Sequence, residues 1–358
     1  MSEPGVLTGP VEIVGAGLLG TSIGLALRRA GIEALLSDVS AEHLRTASGL
    51  GAGRARREDD RPQLVVVAVP PDHLADEIVA ALRRTDAVVT DVGSIKSEPE
   101  RRVAAAAPDL AERYVGGHPM AGSERSGPLA ASAALFDGRP WAVAPHAGAP
   151  AEAVGLVEDL ARVCGAVPVR MSPAEHDQAV ARTSHLPHLL AVLVAGRLAH
   201  APESHLALSG QGVRDVTRVA GGDPGLWQQI VTLNADALHG LLAEVREELD
   251  ILQRAVTTGD RTVLGALLDR GVAGTLAIPG KHGGPATVTR SVFVSVPDHP
   301  GELARLFADA GESEVNIEDV RIDHDPGRPV GLVELVVEEA RAEHLLASLE
   351  SRGWLTHR

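Results

Sequence analysis

VEIVGAGLLGTSIGLALRRAGIEALLSD, residues 11 to 38, decides the fold. Val11, Ile13 and Val14 read as a short buried strand, Gly15-Ala-Gly17-Leu18-Leu19-Gly20 as a tight turn, and Thr21 to Ala30 as a helix stopped by Gly31. Gly15 permits the sharp exit from the strand, Gly17 has no Cβ to hold a pyrophosphate off the backbone, and Gly20 lets the helix lie close on the sheet. The phosphates would meet the positive end of the helix dipole and its unpaired N–H groups. Asp38 follows Gly20 by 18 residues, at the end of a second apolar run from Ala34 to Leu36, where it can accept hydrogen bonds from a ribose 2′-hydroxyl. No Arg or Lys follows Asp38 until Arg45, so NAD is expected rather than NADP.

Outward from this stretch, strands and helices alternate to about Pro145, as in a Rossmann-type, doubly wound parallel sheet. Leu64 to Val69 and Ala87 to Asp91 are Val-rich strands of the kind buried on both faces, with a helix from Asp72 to Arg84 between them. Further strands are expected near Tyr114-Val115 and at Trp141–Ala144. Ligands of such sheets sit beyond the carboxyl ends of the strands, which adds Val69 and Pro70 to Gly15, Gly17, Leu18, Leu19, Gly20 and Asp38 as nucleotide-binding candidates. Gly93-Ser94 and Gly117-His118-Pro119 fall at the same edge.

A chain of 358 residues is too long for one ordinary core, so several domains are expected. A net charge of −15 argues against nucleic acid or an anionic membrane as partner. Cys164 is the only cysteine, which excludes an internal disulfide. The amino terminus lacks a basic segment followed by an apolar one, and no apolar run nears the ~20 residues of a membrane span, so a soluble cytoplasmic protein is expected.

The domains expected are a nucleotide-binding one over 9–148, an all-helical one over 149–280, a Pro/Gly-rich linker over 281–288 and a small α+β unit over 289–358. Within the helical part, Leu226 to Val256 reads as one long helix whose apolar stripe suits a partner helix, so a homodimer is expected. The carboxy-terminal unit reads strand, helix, strand, strand, helix, with Trp354-Leu-Thr as a last short strand. Its PDHPGELARLF segment resembles an ACT domain, the ferredoxin-like amino-acid-sensing module of biosynthetic enzymes. In such domains the turn holding Gly301 lets the backbone approach an effector; the alternative is a unit that only dimerises.

Hydride transfer needs a base to take the proton from the oxidised oxygen, and a group to hold the substrate's charge. His118, on a Gly-rich strand exit and fixed by Pro119, is the best base, with Ser94 able to bond both it and a substrate hydroxyl. Ser123 and Glu124 follow it and could touch the substrate's polar end. His185 and His188 lie three apart on one helix face; with no third ligand at suitable spacing, an anion or keto group suits them better than a metal. Arg218 is a candidate carboxylate clamp, and Asp215 could hold it or His188 in position. Asp223 and Pro224 suit the first positions of the following helix, and Trp227 could wall the pocket.

Taken together, GAGLLG, DVGSIKSEP, GGHPMAGSERSGP, SHLPH and GVRDVTRVAGGDPGLW resemble the prephenate/arogenate dehydrogenase family of tyrosine biosynthesis, nearly throughout the chain. Gln211 departs from it, standing where a glycine is expected. The resemblance implies oxidative decarboxylation of prephenate to 4-hydroxyphenylpyruvate with NAD, His118 deprotonating the ring hydroxyl with help from Ser94. It implies Arg218 on a substrate carboxylate, with His188, Asp215 and Glu124 lining the pocket. Arogenate is the alternative substrate, tyrosine or phenylalanine the effector of the ACT unit, and a non-catalytic nucleotide-bound sensor the further alternative. The β-hydroxyacid dehydrogenases share this architecture but use a lysine in the helical domain, and residues 151–280 contain none. His118→Asn is expected to retain NAD and substrate binding while kcat falls by about 10²- to 10⁴-fold, read in steady-state assays.

Overall fold

Strand β1 (Val11–Val14) is paired on either side by β2 (Ala34–Ser37) and β4 (Leu64–Val67), all three parallel. The computed structural model describes residues 6–122, 126–279, 288–324 and 330–357, except the side chains at 323, 324 and 330. The chain divides into two units, Met1–Glu248 and Leu249–Arg358.

In the first unit α1 (Leu18–Arg29), α2 (Ala41–Gly49), β3 (Arg54–Ala55), α3 (Pro71–Arg84), β5 (Val88–Asp91), α4 (Ser97–Ala106), β6 (Tyr114–Pro119), β7 (Pro140–Ala144), α5 (Ala151–Val163) and β8 (Val167–Arg170) complete the α/β layer. Its eight strands run in the order β3-β2-β1-β4-β5-β6-β7-β8. Residues alternate across the sheet. Ile13, Leu36, Leu64 and Val66 pack with Ile23 and Leu27 of α1 and Val157 and Leu160 of α5, whereas Val65, Val67 and Val89 pack with Leu74 and Ile78 of α3 and Val103 of α4. This two-sided burial is why the strands are so rich in valine.

Three expectations change here. Strand β7 runs antiparallel to β6, so the sheet is not parallel throughout. The sheet continues to Arg170, past residue 148, because the apolar face of α5 packs on the strands and β8 pairs with β7. The helix expected over 226–256 is two, α10 (Pro224–Leu233) and α11 (Ala235–Thr258), interrupted at Asn234. Asn234 is buried and its amide donates to the Asp177 carbonyl at 2.9 Å, which the side chain satisfies by leaving the helical path.

Beyond β8, α6 (Pro173–Val180) leads through a π-helical turn, Ala181–His185, into α7 (Leu186–Leu198). Then come α8 (Glu203–Leu206), α9 (Gln211–Arg218) and the start of α10, where the Asp223 carboxylate accepts from the Leu226 N–H at 2.7 Å. The helical layer has its own small core of Ala181, Leu238 and Leu241.

The second unit contains α12 (Arg261–Leu276), β9 (Thr289–Pro297), α13 (Glu302–Gly311), β10 (Ile317–His324), β11 (Val330–Glu338), α14 (Glu339–Ser351) and β12 (Leu355–His357). Its antiparallel sheet has the order β10-β11-β9-β12, and Val292, Val294, Val333 and Leu335 bury one face against Leu306, Leu345 and Leu349 of the helices. Except for Val288, the expected linker 281–288 lies outside the described residues.

Two glycines fix the first turn. Gly15 has φ +104°, and a Cβ there would overlap the Ala68 carbonyl; a Cβ at Gly20 would overlap the carbonyl of Gly15. Gly15→Ala is therefore expected to cost more than the ~1–2 kcal/mol of a left-handed residue, seen as an earlier urea midpoint for the full chain. An unchanged midpoint would mean that the turn is not closed as described.

Candidate functional site

The Gly-rich turn meets the test for a dinucleotide. A Cβ at Gly17 would touch nothing, so the space over the amino terminus of α1 is open, and no side chain caps that helix. The Asp38 carboxylate accepts from the Ala16 and Ser40 N–H groups at 2.6 Å each, which ties the end of β2 to the turn. Val69 borders Gly15, and Pro70 precedes α3. The nucleotide candidates Gly15, Gly17, Leu18, Leu19, Gly20, Asp38, Val69 and Pro70 thus share one sheet edge.

Beneath the next strand ends lies a buried ion pair. Asp91, at the end of β5, accepts from Lys96 Nζ, from the Tyr114 hydroxyl at 2.9 Å and from the Gly93 and Gly117 N–H groups. Lys96 Nζ also donates to the Gly117 carbonyl at 2.8 Å. Both charges are inaccessible to solvent. Burial pushes the Lys96 ammonium below its ordinary range, although Asp91 opposes the shift, and the same burial raises the Tyr114 phenol well above its own. One carboxylate thereby fixes both the Gly93-Ser94 loop and the strand that carries His118.

The His118 ring is only partly accessible, and its Nδ1 lies 2.8 Å from His176 Nε2. His176 Nδ1 lies 2.8 Å from Asp177 Oδ1. The Asp177 carboxylate also accepts from the backbone N–H groups of Lys96 and Ser97, at 2.9 and 2.8 Å. Burial first, then the facing His176, Lys96 and His185, hold His118 well below the ordinary histidine range, so it is neutral at pH 7. Ser94 was expected on this ring; among the described residues it makes no hydrogen bond to His118, because His176 occupies Nδ1.

Asn234 joins the helical layer to this row. Its amide donates to the Asp177 carbonyl and sits 3.1 Å from His185 Nδ1. Since that nitrogen of Asn234 can only donate, His185 Nδ1 must accept, and its proton is on Nε2. Burial lowers His185 to about 4. Trp227 stands edge-on to His185, with centroids 6.0 Å apart, and stacks on His188 at 3.5 Å. The Val219 carbonyl, next to Arg218, faces His188 and partly offsets the lowering of its pKa by burial.

Arg218 is exposed, and among the described residues it forms no ion pair. Asp215 was expected to hold Arg218 or His188 but accepts from the Gln211 amide at 2.9 Å instead, one turn back on α9. Ser123 and Glu124 lie outside the described residues. Among the described residues no group of three or more His, Cys, Asp or Glu side chains is placed to hold a metal ion, and no helix is long and apolar enough to cross a membrane.

The family models for the nucleotide-binding domain and the dimerization domain of prephenate dehydrogenase match residues 23–170 and 172–270. The probable prephenate dehydrogenase NovF of Streptomyces niveus is 39% identical, covering 96% of this chain and 98% of its own. The chain belongs to the prephenate dehydrogenase family.

Among solved members, the prephenate dehydrogenase of A. aeolicus in complex with hydroxyphenyl propionate and NAD+ is 27% identical, with a TM-score of 0.67 over 77% of this chain and 98% of that one. The arogenate dehydrogenase of Synechocystis is 25% identical, with a TM-score of 0.64 over 74% and 98%. In this prephenate dehydrogenase family member, sequence reasoning passed over His176, Asp177, Asn234 and the Asp91–Lys96 pair. The adjacent His-Asp was a signal in 176–177, and Lys96 stood out as one of two lysines. Lys96→Met would leave Asp91 buried without its cation, so a stability loss of about 3–5 kcal/mol is expected in denaturant titration. A loss below about 1 kcal/mol would mean that the pair is not buried together.

Proposed function

We propose that this chain oxidises prephenate with NAD to 4-hydroxyphenylpyruvate and carbon dioxide, the ring becoming aromatic as the carboxylate leaves. The observation that carries this is His118: a neutral imidazole with Nδ1 occupied and Nε2 left to accept, on the same edge as the Gly-rich turn. His118 Nε2 takes the proton of the ring hydroxyl as the carbon–hydrogen bond at C4 breaks. Bound NAD supplies the hydride acceptor. Gly17 and the uncapped start of α1 would receive its phosphates, and Asp38 its ribose. Ser94 contacts the substrate hydroxyl beside His118. Arg218, exposed and without an ion pair among the described residues, grips a carboxylate, with His188, Trp227 and the Nε2–H of His185 walling the pocket and Asp215 lining it. Alignment and placed charge do the catalytic work.

Arogenate is the second reading, favoured by the similarity to the Synechocystis enzyme. Pairing of two copies through the helical layer is supported by the match to a dimerization domain and by exposed apolar side chains on α7, Val192, Leu193 and Val194. The carboxy-terminal unit acts as an ACT-like sensor of tyrosine or phenylalanine; Gly301, at φ +96° before α13, supplies the backbone turn such binding needs. NADH absorbance with prephenate and with arogenate, each with and without tyrosine and phenylalanine, tests the substrate and the effector. Prephenate is expected to give NADH; no NADH from either substrate at any concentration would leave only a nucleotide-bound sensor.

A further inference from the structure

We propose that His176 and Asp177 are positioning residues that hold His118 in a single tautomer, Nδ1 protonated and Nε2 free, through a carboxylate–imidazole–imidazole chain. This rests on His118 being the base.

The assignment follows from donor and acceptor capacity taken inward from Asp177. Its carboxylate is tied by the Lys96 and Ser97 N–H groups and by His176, and these hydrogen bonds hold its pKa low against the raising effect of burial. An ionised carboxylate only accepts, so His176 Nδ1, 2.8 Å away, must carry a proton. His176 is itself buried, and burial keeps its pKa below the ordinary value, so it is neutral and its Nε2 has a lone pair. That lone pair lies 2.8 Å from His118 Nδ1, which must therefore donate. The remaining nitrogen, Nε2 of His118, can then only accept.

The two rings meet edge-on, with planes 67° apart and centroids separated by 5.1 Å, so the contact is a directed hydrogen bond rather than a stack. When Nε2 takes the hydroxyl proton, His118 becomes an imidazolium, and its positive Nδ1–H points at a ring already polarised by a carboxylate. The charge formed in the step is thus met by groups in place beforehand. Without His176, His118 could put its proton on Nε2 and present a donor to the hydroxyl, which blocks proton acceptance. In a Ser-His-Asp hydrolase a wrong tautomer of this kind costs about 10⁴-fold in kcat.

The test combines nitrogen NMR with kinetics on the full chain. Protein labelled with 15N-histidine is examined at pH 8 by long-range 1H–15N correlation, with His118→Asn to identify the signals. The expected result is His118 protonated on Nδ1; protonation on Nε2 in the wild type overturns the proposal whatever the variants do. His176→Leu is expected to shift His118 towards the Nε2–H form and lower kcat by about 10²-fold, with KM and the Kd for NAD within about twofold. His176→Gln keeps an amide oxygen to accept from Nδ1–H and should recover most of kcat. Equal losses in the Leu and Gln variants, with the tautomer unchanged, also overturn it. If wild-type protein gives no NADH from prephenate or arogenate, the catalytic reading fails, while the NMR result still decides the tautomer.

Discussion

The Asp91 carboxylate is the constraint from which the site is built. Buried at the end of β5, it receives the Lys96 ammonium, the Tyr114 hydroxyl and two backbone N–H groups, so that none of its charge is left unpaired. Removing one partner of such a group costs far more than the intact pair contributes, because a lone charge stays in a poor solvent. The network therefore specifies geometry. Gly93 is pinned directly, Gly117 through both its N–H and its carbonyl, and the two segments that carry Ser94 and His118 acquire fixed positions. Gly117 has to be glycine for this, since a Cβ would press into the Asp91 carbonyl and the Trp141 indole.

A second anchor extends the same logic across the α/β and helical layers. Asp177, near the end of α6, uses its carboxylate to hold the backbone at Lys96 and Ser97 and its carbonyl to hold Asn234. Asn234 reaches from the break between α10 and α11 to His185. The two inner histidines are consequently driven to opposite forms. Both are neutral, yet Asn234 leaves the proton of His185 on Nε2, whereas the proposed tautomer of His118 keeps Nε2 free to accept.

Much of this was legible in residues 11–38, because the constraints there are local. A strand, three glycines at fixed spacing and a carboxylate at the next strand end act within one βαβ unit, and the backbone overlaps that Gly15 and Gly20 avoid involve atoms only a few residues or one strand away. The start of α10 was legible for the same reason, since Asp223 caps a turn made by its own neighbours. The break at Asn234 was not. The apolar stripe continues through Ile230, Leu238 and Leu241, and nothing in that periodicity shows that a buried amide has a carbonyl to satisfy 57 positions earlier in the chain. The antiparallel course of β7 was hidden likewise, because a short buried apolar run such as Trp141–Ala144 carries no direction.

Local sequence alone was enough for the nucleotide-binding turn, for marking His118 and Arg218 as candidates, and for the order of sheet, helices and small α+β unit. Tertiary structure alone decided what His118 bonds to. Ser94, at the neighbouring strand end, was the expected partner of the ring, yet His118 Nδ1 is taken by His176, 58 residues on, because α6 packs on α4 and brings Asp177 under the Lys96-Ser97 backbone. Hydrogen-bond partnership depends on distance in space, and a motif records only distance along the chain.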